Sequence, residues 1–182
     1  MKRDTVRTAL IGLSTVALVL TLGACSAVPA DSGPTLSLAN TKSTAQLNRN
    51  TISGKISAEI TASVSGVTDA SEACDNDPDG FMRRWRSTAL TELTAEGSAK
   101  LDLIQQSIAG AFVSKGWEQT SKDLSDTENL ISLKNPGSQA TIDITATAAV
   151  EGGSGATIYV DITGPCVKTA GPGSDELKTL GE

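Results

Sequence analysis

The segment Asp75-Asn76-Asp77-Pro78-Asp79-Gly80 contains residue types that could bind a metal ion. Alternate carboxylates followed by a glycine open a D-x-D-x-D-G calcium loop, in which the carboxylates converge on one cation. The twelfth position, where such a loop has a bidentate glutamate, is Arg86. We therefore keep Asp75, Asp77 and Asp79 as a candidate cation site, with a solvated acidic turn as the favoured alternative, and we expect no cofactor.

Basic and aromatic residues follow this segment directly. Arg83, Arg84 and Arg86 could bind anionic lipid or a polyanionic wall polymer. Surface ion pairs with acidic neighbours are the interpretation we favour for them. Trp85 and Trp117 could stack on a sugar ring, but large aromatic rings dominate burial, and we expect both in the core.

The chain of 182 residues contains no histidine, which restricts its possible catalytic chemistry. Ser-His-Asp and Cys-His catalysis, histidine general bases and most zinc sites are excluded by composition. No carboxylate pair is placed for glycoside hydrolysis, and no S-x-x-K motif begins a helix with the accompanying signatures of a Ser-Lys hydrolase. We expect no catalytic residue, and a histidine-free hydrolase is the last of our hypotheses.

The amino-terminal residues have the arrangement of an export signal. Lys2, Arg3 and Arg7 precede an apolar run over 9–24, as in a charged region followed by a hydrophobic one. The run is shorter than the roughly 20 residues that a helix needs to span a bilayer. An uncleaved membrane helix and an ordinary secretory signal are the alternatives.

The end of this run, Leu22-Gly23-Ala24-Cys25, resembles the bacterial lipobox, in which a leucine and two small residues precede an acceptor cysteine. The resemblance implies that residues 1–24 are a removed signal peptide and that diacylglycerol is attached to the thiol of Cys25. Two acyl chains anchor a protein stably. The expected location is the extracytoplasmic face of the cell membrane, and the expected partners are the bilayer and the export and lipoprotein-processing machinery.

Removal of the leader would leave 12 basic against 20 acidic residues, a net charge of −8. Such a surface argues against nucleic acid as a partner, because phosphates require a basic patch. With Cys25 assigned to lipid, Cys74 and Cys166 remain in a compartment that permits disulfides, and we predict that they pair. A redox pair is the alternative, but such cysteines commonly lie close together as C-x-x-C.

Residues 25–34 are rich in Ser, Ala, Pro and Gly, which predicts a flexible tether after the lipidated cysteine. Over 36–64 the spacing of Ile52, Ile56, Ile60 and Val64 favours a helix, with two short strands as the alternative.

Further along, Trp85, Ala89 and Leu93 all occupy odd-numbered positions and would lie on one face of an extended chain. This pattern predicts a strand, with a helix as the alternative. A helix is predicted from Leu101 to Phe112, with Ser98 able to cap it and Gly116 beyond its end. Strands are predicted at 130–133, 142–150 and 157–162, the last two forming a hairpin. The tail 168–182 is expected to be disordered.

These elements predict one α+β domain over 35–167, with its core at 74–167 and one or two helices on one face of a two-layer antiparallel sheet. The other face, lined by Thr and Asp, is expected to be wet. The order of features resembles that of small actinobacterial cell-envelope lipoproteins, which often have a helix ending in Gly-Trp, here Gly116-Trp117, and a cysteine after the last strand, here Gly164-Pro165-Cys166. The resemblance implies an α+β fold and no catalytic residue.

Three functions follow from this reading of the sequence. The leading one is a non-enzymatic envelope lipoprotein that binds a partner protein, lipid or wall component. The second is a structural or accessory subunit of an envelope complex, which would present an exposed apolar patch. An enzyme comes third, because it would need a buried cluster of Ser, Lys, Asp or Glu with perturbed pKa values.

Overall fold

Residues 36–77, 79–152 and 155–181 are described by a computed structural model of the chain. The predicted signal peptide 1–24, the lipidation site Cys25 and the tether 25–34 lie outside these residues. Within the described residues, no helix has both the length and the apolar character needed to span a membrane.

Strands and helices are interspersed along the described chain. In chain order they are α1 (Leu38–Ser53), β1 (Thr61–Ala73), β2 (Met82–Leu93), α2 (Ala95–Ser98), α3 (Leu101–Val113), β3 (Glu118–Leu124), β4 (Glu128–Lys134), β5 (Thr141–Thr147), β6 (Thr157–Thr163), β7 (Val167–Lys168) and α4 (Asp175–Thr179), with a single 3-10 turn at Ala58–Ile60.

The strands form one antiparallel sheet in the order β1-β2-β6-β5-β4-β3. The short strand β7 pairs with the first residues of β2, beyond the end of β6. The predicted hairpin is present, because β5 and β6 are neighbours in the sheet. The predicted α+β class with an antiparallel sheet is therefore confirmed.

One face of the sheet forms the core. Alternate residues of β5 and β6 are buried, and Ile142, Ile144 and Ala146 lie opposite Ile162, Val160 and Ile158. The isoleucines and the valine among these residues share one apolar cluster with buried residues of α1 and α3, so both helices cover the same face. The other face carries no buried residue on β5 or β6, which agrees with the predicted wet face of Thr and Asp.

The helix predicted over 36–64 ends eleven residues early. Ser37 caps α1 through its side chain, and the helix stops at Ser53 before Gly54. Ile52 and Ile56 are buried as expected, but Val64 is 53% exposed and lies in strand β1. Gly54 and the Ser-rich sequence around it favour a break in the helix, and the following Thr, Val and Ser residues favour an extended chain.

Helix α3 was predicted with nearly its observed bounds, but its predicted cap is wrong. Ser98 belongs to the separate turn of helix α2, which Thr94 caps, and Lys100 precedes α3 without a side-chain capping bond. Ser98 instead donates a hydrogen bond to the Thr94 carbonyl and accepts one from the Ala156 amide. Gly116 lies beyond the helix with a φ of 87°, a left-handed conformation that favours glycine.

The strand predicted around Trp85 is confirmed as part of β2, and the alternative helix there is wrong. Strand β3 was not predicted. Six of its seven residues are exposed because it lies at the sheet edge, so the hydrophobic alternation of a half-buried strand is absent.

The tail predicted to be disordered is folded over its described part. Its residues include β7 and the short helix α4, and Leu177 of α4 is 4% exposed in the core cluster. The Lys42 ammonium of α1 donates a hydrogen bond to the Leu180 carbonyl over 2.7 Å. The tail was missed because Gly and Pro dominate its start, and Leu177 and Leu180 are its apolar contacts with the core.

Candidate functional site

The face of the sheet opposite the helices is lined mainly by polar side chains, and we call it the open face. By the pairing register, seven acidic and three basic side chains point to this side. Its residues are Ser63, Ser65, Thr68, Ala70, Glu72, Arg84, Arg86, Thr88, Leu90, Glu92, Glu118, Ser121, Asp123, Glu128, Leu130, Ser132, Lys134, Thr141, Asp143, Thr145, Thr147, Thr157, Tyr159, Asp161 and Thr163.

A row of oxygen-bearing side chains crosses the open face at its middle. The register places six residues side by side, one from each strand of the main path: Thr68, Thr88, Asp161, Asp143, Ser132 and Ser121. With strands about 4.8 Å apart, the row is about 24 Å long. It can donate hydrogen bonds only through hydroxyl groups, whereas every one of its members can accept them.

Two carboxylates are neighbours at the centre of this row. Asp143 of β5 lies directly opposite Asp161 of β6. Arg86 of β2 binds Asp161, with its Nε 2.9 Å and 3.0 Å from the two carboxylate oxygens. Hydrogen bonding to Asp161 and then the charge of that carboxylate raise the pKa of Arg86 above its ordinary value. Arg86 is therefore committed to one carboxylate of the pair.

A shallow groove of about 320 Å³ lies beside this pair. Its walls include the half-buried ring of Tyr159, the Arg86 side chain and the hydroxyls of Thr68 and Thr88, which hydrogen-bond to each other over 2.7 Å. The groove thus combines an aromatic surface with polar groups whose mutual contacts fix their positions.

The three candidate metal ligands do not share one site. The Asp77 carboxylate accepts a hydrogen bond from the Met82 amide, whereas the Asp75 carboxylate lies 3.4 Å from Arg84 and is 79% exposed. Asp79 is exposed. Among the residues described, no group of three or more Asp, Glu and Cys side chains is arranged to hold a metal ion. The segment lies between β1 and β2, with Asp75 and Asp79 exposed to solvent.

The arginine run forms ion pairs. Arg84 Nε lies 2.6 Å from Glu72 Oε1, and hydrogen bonding to Glu72 is the first cause that raises the pKa of Arg84. Arg83 donates hydrogen bonds to the hydroxyl and the carbonyl of Ser71. The favoured interpretation is confirmed for Arg84, while the partner of Arg86, Asp161, comes from a distant part of the sequence.

Both tryptophans lie in the core, as expected. Trp85 is 1% exposed and Trp117 8%. The Trp117 ring contacts Phe112 edge to face at 5.3 Å, and the Lys42 ammonium lies 4.7 Å from the Trp85 ring centre. Neither ring offers a flat exposed surface on which a sugar could stack.

A polar cluster lies beneath α1 on the helix-covered side. Arg49 of α1 lies 2.5 Å from Asp69 of β1 and donates a hydrogen bond to the fully buried Ser87 hydroxyl. Burial acts to raise the pKa of Asp69, but hydrogen bonds from Ser87, Arg49 and Trp85 and the charge of Arg49 outweigh it, so this pKa is lowered. The cluster attaches α1 to the edge of the sheet.

The disulfide between Cys74 and Cys166 is confirmed, with Cα atoms 6.2 Å apart. Cys74 follows β1, and Cys166 lies between β6 and β7. The bridge therefore joins the β1–β2 turn to the connection that leads into the folded tail.

A larger cleft of about 540 Å³ lies between the start of α3 and the loop before β4. The charged groups on its helical wall already have partners. Lys100 lies 2.6 Å from Glu96, and Asp102 accepts a hydrogen bond from Asn129 over 2.9 Å. The open face offers more uncompensated charge, and we take it as the candidate site.

The sequence predicted the wet face but not which of its residues lie side by side at its centre. The alternation of β5 and β6 placed Asp143, Tyr159 and Asp161 on the solvent side. Their adjacency depends on the register between the two strands, for which the long loop joining them gave no signal. No protein-family model, no characterised protein and no solved structure is significantly similar to this chain.

Proposed function

We propose that this protein is a lipid-anchored envelope lipoprotein whose folded domain binds a partner through the open face, without catalysing a reaction. The proposal rests on the open face of the sheet, because the two principal helices, α1 and α3, both cover the opposite face. The row through Asp143 and Asp161 and the groove beside Tyr159 give it fixed polar groups and a concave contact.

The anchoring part of the proposal rests on the sequence. The apolar run and the small residues before Cys25 have the pattern that an export and acylation signal requires. The disulfide is consistent with this location, since disulfides form and persist in oxidising compartments. Attachment at Cys25 would place the domain on the outer surface of the cell membrane.

The anchor can be tested by metabolic labelling with an alkyne-bearing fatty acid. The unmodified chain should incorporate label and partition into detergent, whereas Cys25→Ser should incorporate none and retain its precursor mass. A Cys74→Ser/Cys166→Ser variant is the matched control and should still be labelled. Equal labelling of the Cys25→Ser variant would refute the anchor.

The binding part can be tested by crosslinking in intact membranes. A photoreactive residue at Thr145, on the open face, should give one discrete adduct. The same residue at Gln106, on the exposed side of α3, is the control and should not give that adduct. Absence of a discrete adduct from Thr145, or an identical adduct from both positions, would contradict binding through the open face.

A second candidate is a structural subunit that assembles through the sheet edge. Strand β1 has 13 residues and forms one edge of the sheet, where Val64 and Val67 are each 53% exposed. An exposed edge can pair with a strand of another chain. Irregular register between Ser65 and Thr68, with Gly66 at a φ of 58°, twists this edge and opposes such pairing.

A further inference from the structure

We infer that the partner of the open face is a basic protein segment, and that one of its Lys or Arg side chains binds beside Asp143. The inference rests on the proposed function and specifies the chemistry of its partner. It follows from a difference between two neighbouring carboxylates at the centre of the sheet, of which, over the described ranges of the chain, Asp161 binds an arginine and Asp143 does not.

Asp143 and Asp161 are directly opposed across β5 and β6. Side chains in this relation have Cβ atoms about 4.5–5.5 Å apart, and like charges so placed destabilise the sheet. Both strands lie in the interior of the sheet, so neither carboxylate can move away by fraying of an edge. A cation bound beside either carboxylate would therefore stabilise the pair.

Among the residues that the structure describes, a cation binds only one member of the pair. Arg86 binds Asp161 through two of its nitrogens and lies 3.9 Å from Glu72 on its other side. Within the described part of the chain, the Asp143 side chain has no hydrogen bond or ion pair. Lys134 is one row away on β4, opposite Thr141, and forms no ion pair with Asp143. One carboxylate at the centre of the open face thus lacks a counter-charge.

The surroundings of Asp143 suit an ammonium or guanidinium group. Thr141 and Thr145 flank it on its own strand, and Ser132 lies opposite on β4, so hydroxyl oxygens surround the carboxylate. A Lys ammonium needs up to three acceptors, which this arrangement provides. The Tyr159 ring, opposite Thr145, adds an aromatic face of the kind that attracts cations.

The charge of the whole open face supports a protein partner that is basic. Seven acidic against three basic side chains give a field that attracts a cationic segment and repels polyanions. A neutral glycan could hydrogen-bond to the row of hydroxyls, but it would leave the charge of Asp143 uncompensated. A basic peptide satisfies both the charge and the hydrogen-bonding groups.

The test uses the full chain purified in detergent and a fluorescent peptide of alternating Lys and Thr. The peptide should bind at low salt, measured by fluorescence anisotropy. The same peptide with every Lys acetylated should not. Asp143→Asn should weaken binding about threefold to tenfold, as expected for loss of one partly solvated charge partner. Asp126→Asn, an equal charge change in an exposed loop outside the open face, should change it by less than twofold.

The stability of the variant separates binding from folding. Asp143→Asn should unfold at the same or a slightly higher denaturant concentration, because it removes a like-charge pair. Equal binding of the acetylated peptide, or equal weakening by the Asp143 and Asp126 variants, would overturn the inference. If Thr145 gives a discrete adduct in membranes but the Lys peptide does not bind, this inference fails alone. Absence of the adduct removes the proposed function itself.

Discussion

Loss of the Cys74–Cys166 disulfide should lower the stability of the domain more than any single core substitution of moderate size. The bridge joins residues 92 positions apart. In the chain-entropy description, closing a loop of that length restricts the unfolded chain by about 4.6 kcal/mol at 25 °C. Residual structure in the unfolded chain reduces this figure, and we expect a measured loss of about 3–4.6 kcal/mol.

The assay is urea unfolding of a Cys74→Ser/Cys166→Ser variant against its parent, both carrying Cys25→Ser so that no third thiol can exchange. With a slope of about 2 kcal/mol per molar urea, the midpoint should fall by roughly 1.5–2.3 M. A reducing agent should shift the parent by a similar amount and leave the double variant unchanged.

A loss below about 1 kcal/mol would refute this reasoning, because it would show that the long loop is already restricted in the unfolded chain. An equal shift of the double variant by reducing agent would show that the effect does not arise from the bridge. Hydrogen exchange adds a local measure, since the amides of β7 and the start of β2 should lose protection first when the bridge is absent.

Three further predictions concern contacts within the domain. Asp69→Asn should flatten the fall of stability in acid. Because the pKa of Asp69 is lowered in the folded state, its ionised carboxylate stabilises the fold at pH values above its ordinary pKa of 3.8. This stabilisation is lost as the pH falls towards the folded pKa, and urea midpoints from pH 2.5 to 7 measure the loss. Leu177→Ala should cost about 2–4 kcal/mol by thermal unfolding, because the side chain is 4% exposed. Gln105→Ala should cost about 1–3 kcal/mol, because its buried amide group donates to two strand carbonyls over 2.7 and 2.8 Å.

Each of these predictions has a matched control. For the acid dependence, Asp126→Asn in an exposed loop should leave the change of urea midpoint with pH unaltered. If the midpoint of Asp69→Asn fell with pH as steeply as that of the unmodified chain, the prediction would be wrong. For the tail, Lys178→Ala on the exposed side of α4 should cost less than 0.5 kcal/mol. An equally small cost for Leu177→Ala would mean that α4 is not held in the core. For Gln105, the exposed neighbour Gln106→Ala is the control, and equal costs would sink the reasoning.

The sequence predicted the elements in which hydrophobic periodicity is complete. Strands β5 and β6 alternate between isoleucine, valine or alanine and polar residues over their whole length, and helix α3 repeats apolar residues at three and four. Such patterns determine both the type of element and the face that is buried. The class of the fold followed from these three elements.

Elsewhere, contacts between residues distant in sequence determine the secondary structure, and local periodicity does not predict it. The four-residue spacing from Ile52 to Val64 continues across Gly54, but the chain beyond Thr61 pairs with β2 instead of extending the helix. Strand β3 and helix α4 are short or exposed, and each depends on a partner distant in sequence. The candidate site belongs to the same class, because Arg86 and Asp161 meet across 75 residues.

The contact between Lys42 and the Leu180 carbonyl has a consequence for handling the protein. An affinity tag or fluorescent reporter fused after Glu182 would begin three residues beyond a carbonyl that is hydrogen-bonded to α1, whose Lys42 lies beside the buried Trp85. Insertion near Val150, which is 68% exposed in the loop after β5, leaves this contact intact and is the better position for a label.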